Sequence, residues 1–219
     1  MFGWKSKATA APQRMAETSG AFDGAAIFAG HGLITGTKVA SNLGWRAVDT
    51  IAPGDQVLTF DHGMQYVVEV RRTVMFTDAT TVPEHMLPVT VPAGALGNRN
   101  TMRLLPEQGV MVESDAAIDA FGDPFAVVPA TSLIGFRGVH RDLQANEFEI
   151  VTLFFAKPEV IYAEGGALIY CPQAHLQLAD MLDPSSQPYD VLNIEEASWL
   201  IDCMEMENMP APHMQTQAA

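Results

Sequence analysis

Short apolar runs separated by turn residues dominate the chain from Ile27 to about Tyr170. Runs rich in Val, Ile, Thr and Phe alternate with Gly, Pro, Asn and Asp, which is typical of short β-strands joined by tight turns. The last two runs flank Glu164-Gly165-Gly166, a loop suited to a β-hairpin. The pattern therefore predicts an all-β body, either a barrel or a sandwich-like arrangement. The predicted strands cover residues 37–40, 56–60, 65–71, 110–112, 126–128, 149–155, 159–163 and 167–171.

Two segments near the end of the chain carry helical signals. Residues 176–182 predict one short helical segment. Asn193 can cap a second helix, with Glu195 and Glu196 close to the positive end of its dipole. We expect this second helix to close the β body or to dock on it. Its apolar positions predict a single buried face: Trp199, Leu200, Cys203 and Met204.

The chain divides into one domain and two tails. Residues 1–25 are rich in Ala, Ser, Thr and Gln without a sustained period, which predicts a flexible basic N-terminal tail. Residues 26–207 form the predicted domain. Residues 208–219 carry no helical or strand pattern, so we expect a disordered C-terminal tail.

The net charge of the chain and its uneven distribution indicate which kinds of binding partner to expect. The formal net charge is −14, from 26 acidic and 12 basic residues, so we expect no nucleic-acid binding. Residues 1–20 carry three bases and one acid, whereas ten acids and no Lys or Arg follow Lys157. This asymmetry predicts a protein partner for the tail or for the acidic C-terminal third, or docking of one on the other. The alternative is a solvated surface that aids solubility.

Targeting signals are weak throughout the sequence. No apolar window is long enough for a membrane-spanning helix, and the first residues lack the apolar core of a secretory signal. Cys171 and Cys203 are too few for a disulfide framework. We therefore expect a cytoplasmic protein, with unconventional export left open.

Common catalytic and ligand-binding motifs are missing from the sequence. It contains no phosphate-binding G-x-x-x-x-G-K-[ST], no dinucleotide G-x-G-x-x-G, no metalloprotease H-E-x-x-H and no G-x-S-x-G elbow. The six histidines are isolated from one another, and a lone surface histidine is far commoner than a metal ligand. We therefore expect neither a metal site nor a cofactor.

One set of short motifs, found in a fixed order along the chain, is specific enough to indicate a family. Residues 32–73 read as strand, connector, Pro-Gly-Asp turn, strand, Asp-x-Gly turn and strand. The set resembles the opening of the Hint domain, the hedgehog/intein autoprocessing module, in its bacterial branch. Its opening motifs are Gly36-Thr37, Ala47-Val48-Asp49, Pro53-Gly54-Asp55 and Val57-Leu58-Thr59. Further blocks of the family follow in order at 91–114, 127–133, 154–165 and 194–201.

The resemblance spans about residues 27–205 and implies a fold and a chemistry. The implied fold is an all-β, compact barrel or horseshoe of short strands with a C-terminal helix. The implied chemistry is an intramolecular acyl shift, in which a Cys or Ser at the first domain position attacks the preceding carbonyl. A histidine from the second signature then polarises the scissile amide and protonates its leaving nitrogen.

This sequence departs from the family at each catalytic position. Gly32 stands at the nucleophile position, Gln108 at the histidine position, and Pro158 where the family often has another histidine. Gly32 is either a lost nucleophile or a glycine required at a tight strand entry. Gln108 is either a replaced acid/base or an exposed turn residue after Pro106.

Two hypotheses about function follow. The first is a catalytically degenerate Hint domain that serves as a non-catalytic binding or structural module, with no expected catalytic residue. The second is a self-cleaving domain that uses noncanonical residues near Gly32. The candidate substitutes for the second hypothesis are His31, Thr35 and Thr37. Shifting a nucleophile along the chain spoils the geometry that supplies most of the rate, which favours the first hypothesis.

Overall fold

Fourteen short strands and two α-helices make up the part of the chain that the computed structural model describes, residues 30–77, 82–144, 146–174 and 189–207. The strands are β1 Leu33–Ile34, β2 Lys38–Ser41, β3 Gly44–Ala47, β4 Gln56–Thr59, β5 Gly63–Tyr66, β6 Glu69–Thr77, β7 Val89–Val91, β8 Met102–Leu104, β9 Gly109–Glu113, β10 Phe125–Pro129, β11 His140–Arg141, β12 Asn146–Phe154, β13 Glu159–Ala163 and β14 Ala167–Cys171. The helices are α1 Asp115–Phe121 and α2 Ile194–Glu207. Short 3-10 turns occupy Val48–Thr50, Glu84–Met86, Ala130–Leu133 and Phe136–Gly138.

The strands form two antiparallel sheets, and neither sheet closes on itself. The first has the order β11-β7-β8-β1-β12-β6. The second has the order β10-β9-β14-β13-β2-β4-β5, with β3 paired to β2. The all-β class with a C-terminal helix is confirmed, and the open sheets correspond to the horseshoe form of the expected fold rather than to a closed barrel.

The longest strand pairing among the described residues joins β12 and β6, and β12 also pairs with β1. β12 runs antiparallel to β6 over nine residue pairs, from Asn146 opposite Thr77 to Phe154 opposite Glu69. On its other side β12 pairs with the two residues of β1, with Leu33 opposite Val151. The chain therefore enters the sheet directly after Gly32, beside the centre of a long strand.

The predicted hairpin at residues 159–171 is present with both strand boundaries as expected. Ala163 pairs with Ala167 next to the loop, and Glu164 and Gly165 adopt left-handed backbone with φ of 46° and 94°. A β-carbon on Gly166 would lie only 2.4 Å from the carbonyl oxygen of Gly97. The loop therefore needs glycine at position 166 because another backbone segment passes against it.

Helix α2 begins as its sequence predicts but presents a different face. The Asn193 side chain accepts a hydrogen bond from the Glu196 N–H (3.0 Å), while the Glu196 carboxylate accepts one from the Asn193 N–H (3.4 Å). This reciprocal pair caps the helix. The expected apolar face is wrong in part, because Trp199 is 47% exposed and Cys203 is only partly buried. The residues that enter the core are Ala197, Leu200, Ile201 and Met204.

Helix α1 has no counterpart among the sequence predictions. Ser114 caps it by accepting a hydrogen bond from the Ala116 N–H (3.1 Å), and Gly122 ends it in left-handed conformation. The helix has only seven residues and lies between β9 and β10, inside the region that reads as strands. Among the described residues, neither helix is long and apolar enough to cross a membrane.

Some of the sequence predictions fall outside the described residues. The predicted helical segment at 176–182 lies there, as do the C-terminal tail at 208–219 and the N-terminal tail at 1–25. The boundaries of the predicted domain at 26 and 207 therefore stay predictions.

Candidate functional site

The peptide bond between His31 and Gly32 is held from both sides at the entrance to β1. Its N–H, on Gly32, donates to the Gln108 Oε1 atom at 2.7 Å. Its carbonyl oxygen, on His31, accepts a hydrogen bond from the Thr152 hydroxyl at 2.8 Å. The family resemblance places the residue at position 108 next to the amide of residue 32. The structure brings these two residues together, although they lie 76 positions apart in the sequence.

Gln108 is fully buried, so the interpretation as an exposed turn residue is wrong. Its Nε2 group donates to the carbonyl oxygens of Gly109 (3.0 Å) and Tyr170 (2.8 Å). The turn after Pro106 orients it, because the Gln108 N–H bonds to the Leu105 carbonyl (3.0 Å). The side chain therefore uses its oxygen as an acceptor and both of its amide hydrogens as donors.

Glycine at position 32 is required by space. A β-carbon built there would lie 2.4 Å from Ile150 Cγ2 and 2.8 Å from Thr152 Oγ1, both far inside contact distance. The backbone of Gly32 is not in the left-handed region, so conformation does not impose glycine here. Any side chain at position 32 would have to displace its neighbours on β12.

His31 packs its ring against Tyr170. The ring centroids are 4.9 Å apart in an edge-to-face arrangement, and the Gly109 N–H donates to His31 Nδ1 at 3.4 Å. Burial lowers the pKa of the imidazole. The ring is therefore neutral at pH 7, with Nδ1 acting as an acceptor and the proton placed on Nε2.

The remaining sequence candidates do not reach the held peptide. The exposed Thr35 hydroxyl lies within hydrogen-bond distance of two Glu149 oxygens on β12, the carbonyl at 3.0 Å and the carboxylate Oε2 at 3.3 Å. The buried Thr37 hydroxyl donates to the Ile34 carbonyl (2.7 Å), which closes a local turn. Pro158 is buried in the loop before β13 and offers no donor or titratable group.

Two groups at the site were not expected there from the sequence: Thr152 gave no signal, and Cys171 lies far along the chain from Gly32. Thr152 reaches the His31 carbonyl from 121 residues away, and only strand pairing brings it there. Cys171 lines the gap around Gly32 and Gln108, and that gap has no room for a water molecule. Burial, and to a smaller extent the charge of Glu159, raises the pKa of the Cys171 thiol far above its ordinary value. A buried neutral thiol is a poor nucleophile.

A cleft open to solvent borders the site on the His31 side. Its volume is about 290 Å³, and it is bordered by His31, Arg71 and Phe154. Among the described residues, no group of three or more His, Cys, Asp or Glu side chains converges to hold a metal ion. The site is thus a buried polar clamp on the His31–Gly32 peptide bond.

Two open antiparallel sheets with a peptide held at the head of the first strand define the class of domain. The model of the Hint domain family matches residues 31–168, more than half of the chain. The chain belongs to the Hint domain family. Among curated proteins, none matches its sequence.

Solved structures similar to this chain come from inteins and intein-like domains. A bacterial intein-like domain from Clostridium thermocellum is 12% identical, with 64% of this chain and 99% of that chain covered and a TM-score of 0.46. The MchDnaB-1 intein is 12% identical over 63% of this chain and 98% of its own, with a TM-score of 0.39. The gp41-1 intein is 12% identical over 66% and 99%, with a TM-score of 0.37.

Proposed function

We propose that this Hint domain does not process itself and serves as a non-catalytic binding or structural module. The observation that carries the proposal is the buried hydrogen bond from the Gly32 N–H to Gln108. An acyl shift at this peptide needs a side-chain nucleophile on residue 32, and glycine has none. Ile150 and Thr152 occupy the space that such a side chain would take.

The second requirement of the reaction is a proton for the leaving nitrogen. Gln108 contacts that nitrogen through Oε1, an oxygen that carries no proton. Its two amide hydrogens are directed at the carbonyls of Gly109 and Tyr170. The side chain therefore anchors the peptide bond and has no proton to give to it.

The residues near Gly32 that could replace the missing catalytic groups make hydrogen bonds to other parts of the domain. His31 Nδ1 accepts a hydrogen bond, and the Thr35 and Thr37 hydroxyls donate to backbone carbonyls. The Thr35 hydroxyl also contacts a carboxylate base, Glu149 Oε2 at 3.3 Å. Thr35 lies three residues beyond Gly32 and bonds to β12 rather than to the His31–Gly32 peptide, so this pair lacks the geometry that noncanonical self-cleavage would require. The arrangement supports a peptide bond that stays intact.

A domain that catalyses no reaction can act only by binding other molecules or segments at its surface. The charge asymmetry of the chain supports a protein partner that contacts residues 1–20 or the acidic segment 189–207. With a net charge of −14, the protein does not suit nucleic acid. We place this role inside the cell.

Restoring the two lost groups tests the proposal. The variant carrying Gly32→Cys, Gln108→His and Ile150→Ala supplies a thiol, a proton donor and the space for the new β-carbon. We expect it to release residues 1–31 during incubation with dithiothreitol, whereas the native chain stays whole in the parallel sample. Release is followed by mass spectrometry, and circular dichroism verifies that each variant is folded.

A matched variant isolates the nucleophile. The combination of Gly32→Ala, Gln108→His and Ile150→Ala has the same packing change and no thiol, so it should remain uncut. Release of residues 1–31 from the native chain would refute the proposal. A folded thiol variant that stays whole would show that the groups at positions 32 and 108 do not explain the missing reaction.

A further inference from the structure

A strongly acidic surface surrounds a cavity with a mixed apolar and polar lining between α1 and the start of α2. Residues 115–129 carry three acids and residues 189–207 carry six, with no Lys or Arg in either segment. A cavity of about 570 Å³ lies between them and is lined by Phe121, Phe125 and Val191. Its rim includes Asp123, Asp190 and Glu196, and we call the cavity and these residues the acidic–apolar face.

Large apolar side chains are exposed on the acidic–apolar face. Phe121 is 41% exposed and contacts the Trp199 ring edge-to-face at 6.4 Å between centroids. Val191 in the cavity lining is also more than a third exposed, as are Ile118 on α1 and Ile194 at the start of α2. Clusters of exposed apolar residues with a polar rim are typical of surfaces that another segment covers.

The carboxylates of the rim have no basic partner among the described residues. The four Arg–carboxylate ion pairs of that part of the chain involve Asp55, Glu69, Glu149 and Asp142 instead. Like charges gathered on one surface repel one another, and a cationic segment would relieve that repulsion. The occupant suited to this surface is therefore both basic and apolar.

Residues 1–20 of the same chain have that composition. Of all residues outside the described part, only this segment contains Lys or Arg, namely Lys5, Lys7 and Arg14. Phe2 and Trp4 stand beside the two lysines. Residues 175–188 carry Asp180 and Asp183 without Lys or Arg, and residues 208–219 contain no Lys, Arg, Asp or Glu.

The segment can reach the acidic–apolar face from its attachment point. The His31 ring lies 4.9 Å from that of Tyr170, which lies 6.4 Å from that of Tyr189 on the cavity wall. At roughly 3.3 Å per residue, about four extended residues cover this distance. Residues 1–20 can therefore reach the acidic–apolar face, because residues 21–30 provide more than the four residues needed.

We propose that residues 1–20 bind the acidic–apolar face of the same molecule, with Phe2 and Trp4 on the apolar side chains of the cavity and Lys5 and Lys7 on its acidic rim. This contact rests on the proposed function in one respect, since the segment stays attached only while the His31–Gly32 bond is whole. A protein partner of the acidic–apolar face then has to displace the segment.

Carbodiimide cross-linking of the full chain tests the proposal, because it joins an amine and a carboxylate that touch. The chain has four lysines, Lys5, Lys7, Lys38 and Lys157, so each product has a simple assignment by peptide mass spectrometry. We expect intramolecular links from Lys5 or Lys7 to Asp190, Glu196 or Asp123. About 0.5 M salt should suppress them, since exposed charge pairs are screened.

Paired variants provide the control. Asp190→Asn with Glu196→Gln removes two of the link positions, and the yield of the remaining link to Asp123 should fall about fivefold, the loss expected from two exposed charge pairs. Glu84→Gln with Glu107→Gln, at exposed positions outside the face, should leave the yield unchanged. Trp4→Ala should also lower the yield of the links, because the proposal places the indole ring of Trp4 on the cavity.

Three results would overturn the proposal. Links confined to Lys38 and Lys157, or spread evenly over all surface acids, would show that the segment does not bind this face. Links between isotope-labelled and unlabelled copies would identify the occupant as the segment of a second molecule. Failure of the proposed function is distinct, because it yields a separate fragment of residues 1–31 instead of an intact chain without links.

Discussion

Replacing Gln108 by leucine is expected to lower the free energy of unfolding by about 3 kcal/mol, because a buried donor or acceptor left without a partner costs about 1–3 kcal/mol. Leucine fills similar space but removes the acceptor of the Gly32 N–H and the donor to the Gly109 and Tyr170 carbonyls. Urea denaturation followed by circular dichroism measures the change.

Two further variants separate hydrogen bonding from packing. Gln108→Glu keeps an acceptor for Gly32 but turns a carboxylate oxygen toward two carbonyls. We expect it to be destabilised at pH 7 and partly recovered in acid, where a protonated carboxyl can donate. Glu107→Ala, at the exposed neighbouring position, should change stability by less than about 0.5 kcal/mol. A Gln108→Leu protein as stable as the native one would contradict the clamp.

Gly32→Ala is expected to destabilise the fold by about 2–3 kcal/mol, as inserting a methyl group into a filled site does. Its β-carbon would meet Ile150 Cγ2 at 2.4 Å. Ile150→Ala alone should cost about 3 kcal/mol through the cavity that it leaves. Together the two changes should cost at least about 1 kcal/mol less than their sum, because the second change makes room for the first.

A control for this cycle uses another buried isoleucine. Ile51 is 1% exposed and is not among the atoms nearest to position 32. Combined with Gly32→Ala, the Ile51→Ala change should therefore be additive within about 0.5 kcal/mol. Additivity of the Ile150 pair as well would mean that space does not impose glycine at position 32.

Elements defined by local chemistry could be predicted from the sequence. The hairpin at 159–171 follows from two apolar runs around a Gly-Gly loop, and its boundaries are confirmed. The start of α2 follows from Asn193 with Glu196 three residues later, and the cap is confirmed. In both cases the deciding contacts join residues close along the chain.

Features that depend on tertiary packing could not be predicted in this way. Thr152 at the His31 carbonyl and the space limit at Gly32 both arise from the pairing of β1 with the distant β12. Trp199 fits the helical period of an apolar face, yet the helix turns Ala197 and Ile201 inward. Ala197 and Ile201 pack in the main hydrophobic core, whereas Trp199 contacts Phe121 of α1 near the surface. Helix α1 itself was too short to stand out in the sequence.

The intact mass of the native chain tests the central claim most directly. The freshly purified protein is measured and measured again after several days with dithiothreitol, with hydroxylamine and with neither reagent. Our account predicts one unchanged mass, that of the 219-residue chain, in every sample. Loss of a fragment that ends at His31, faster with either reagent, would contradict it and would make the held peptide bond a site of self-cleavage.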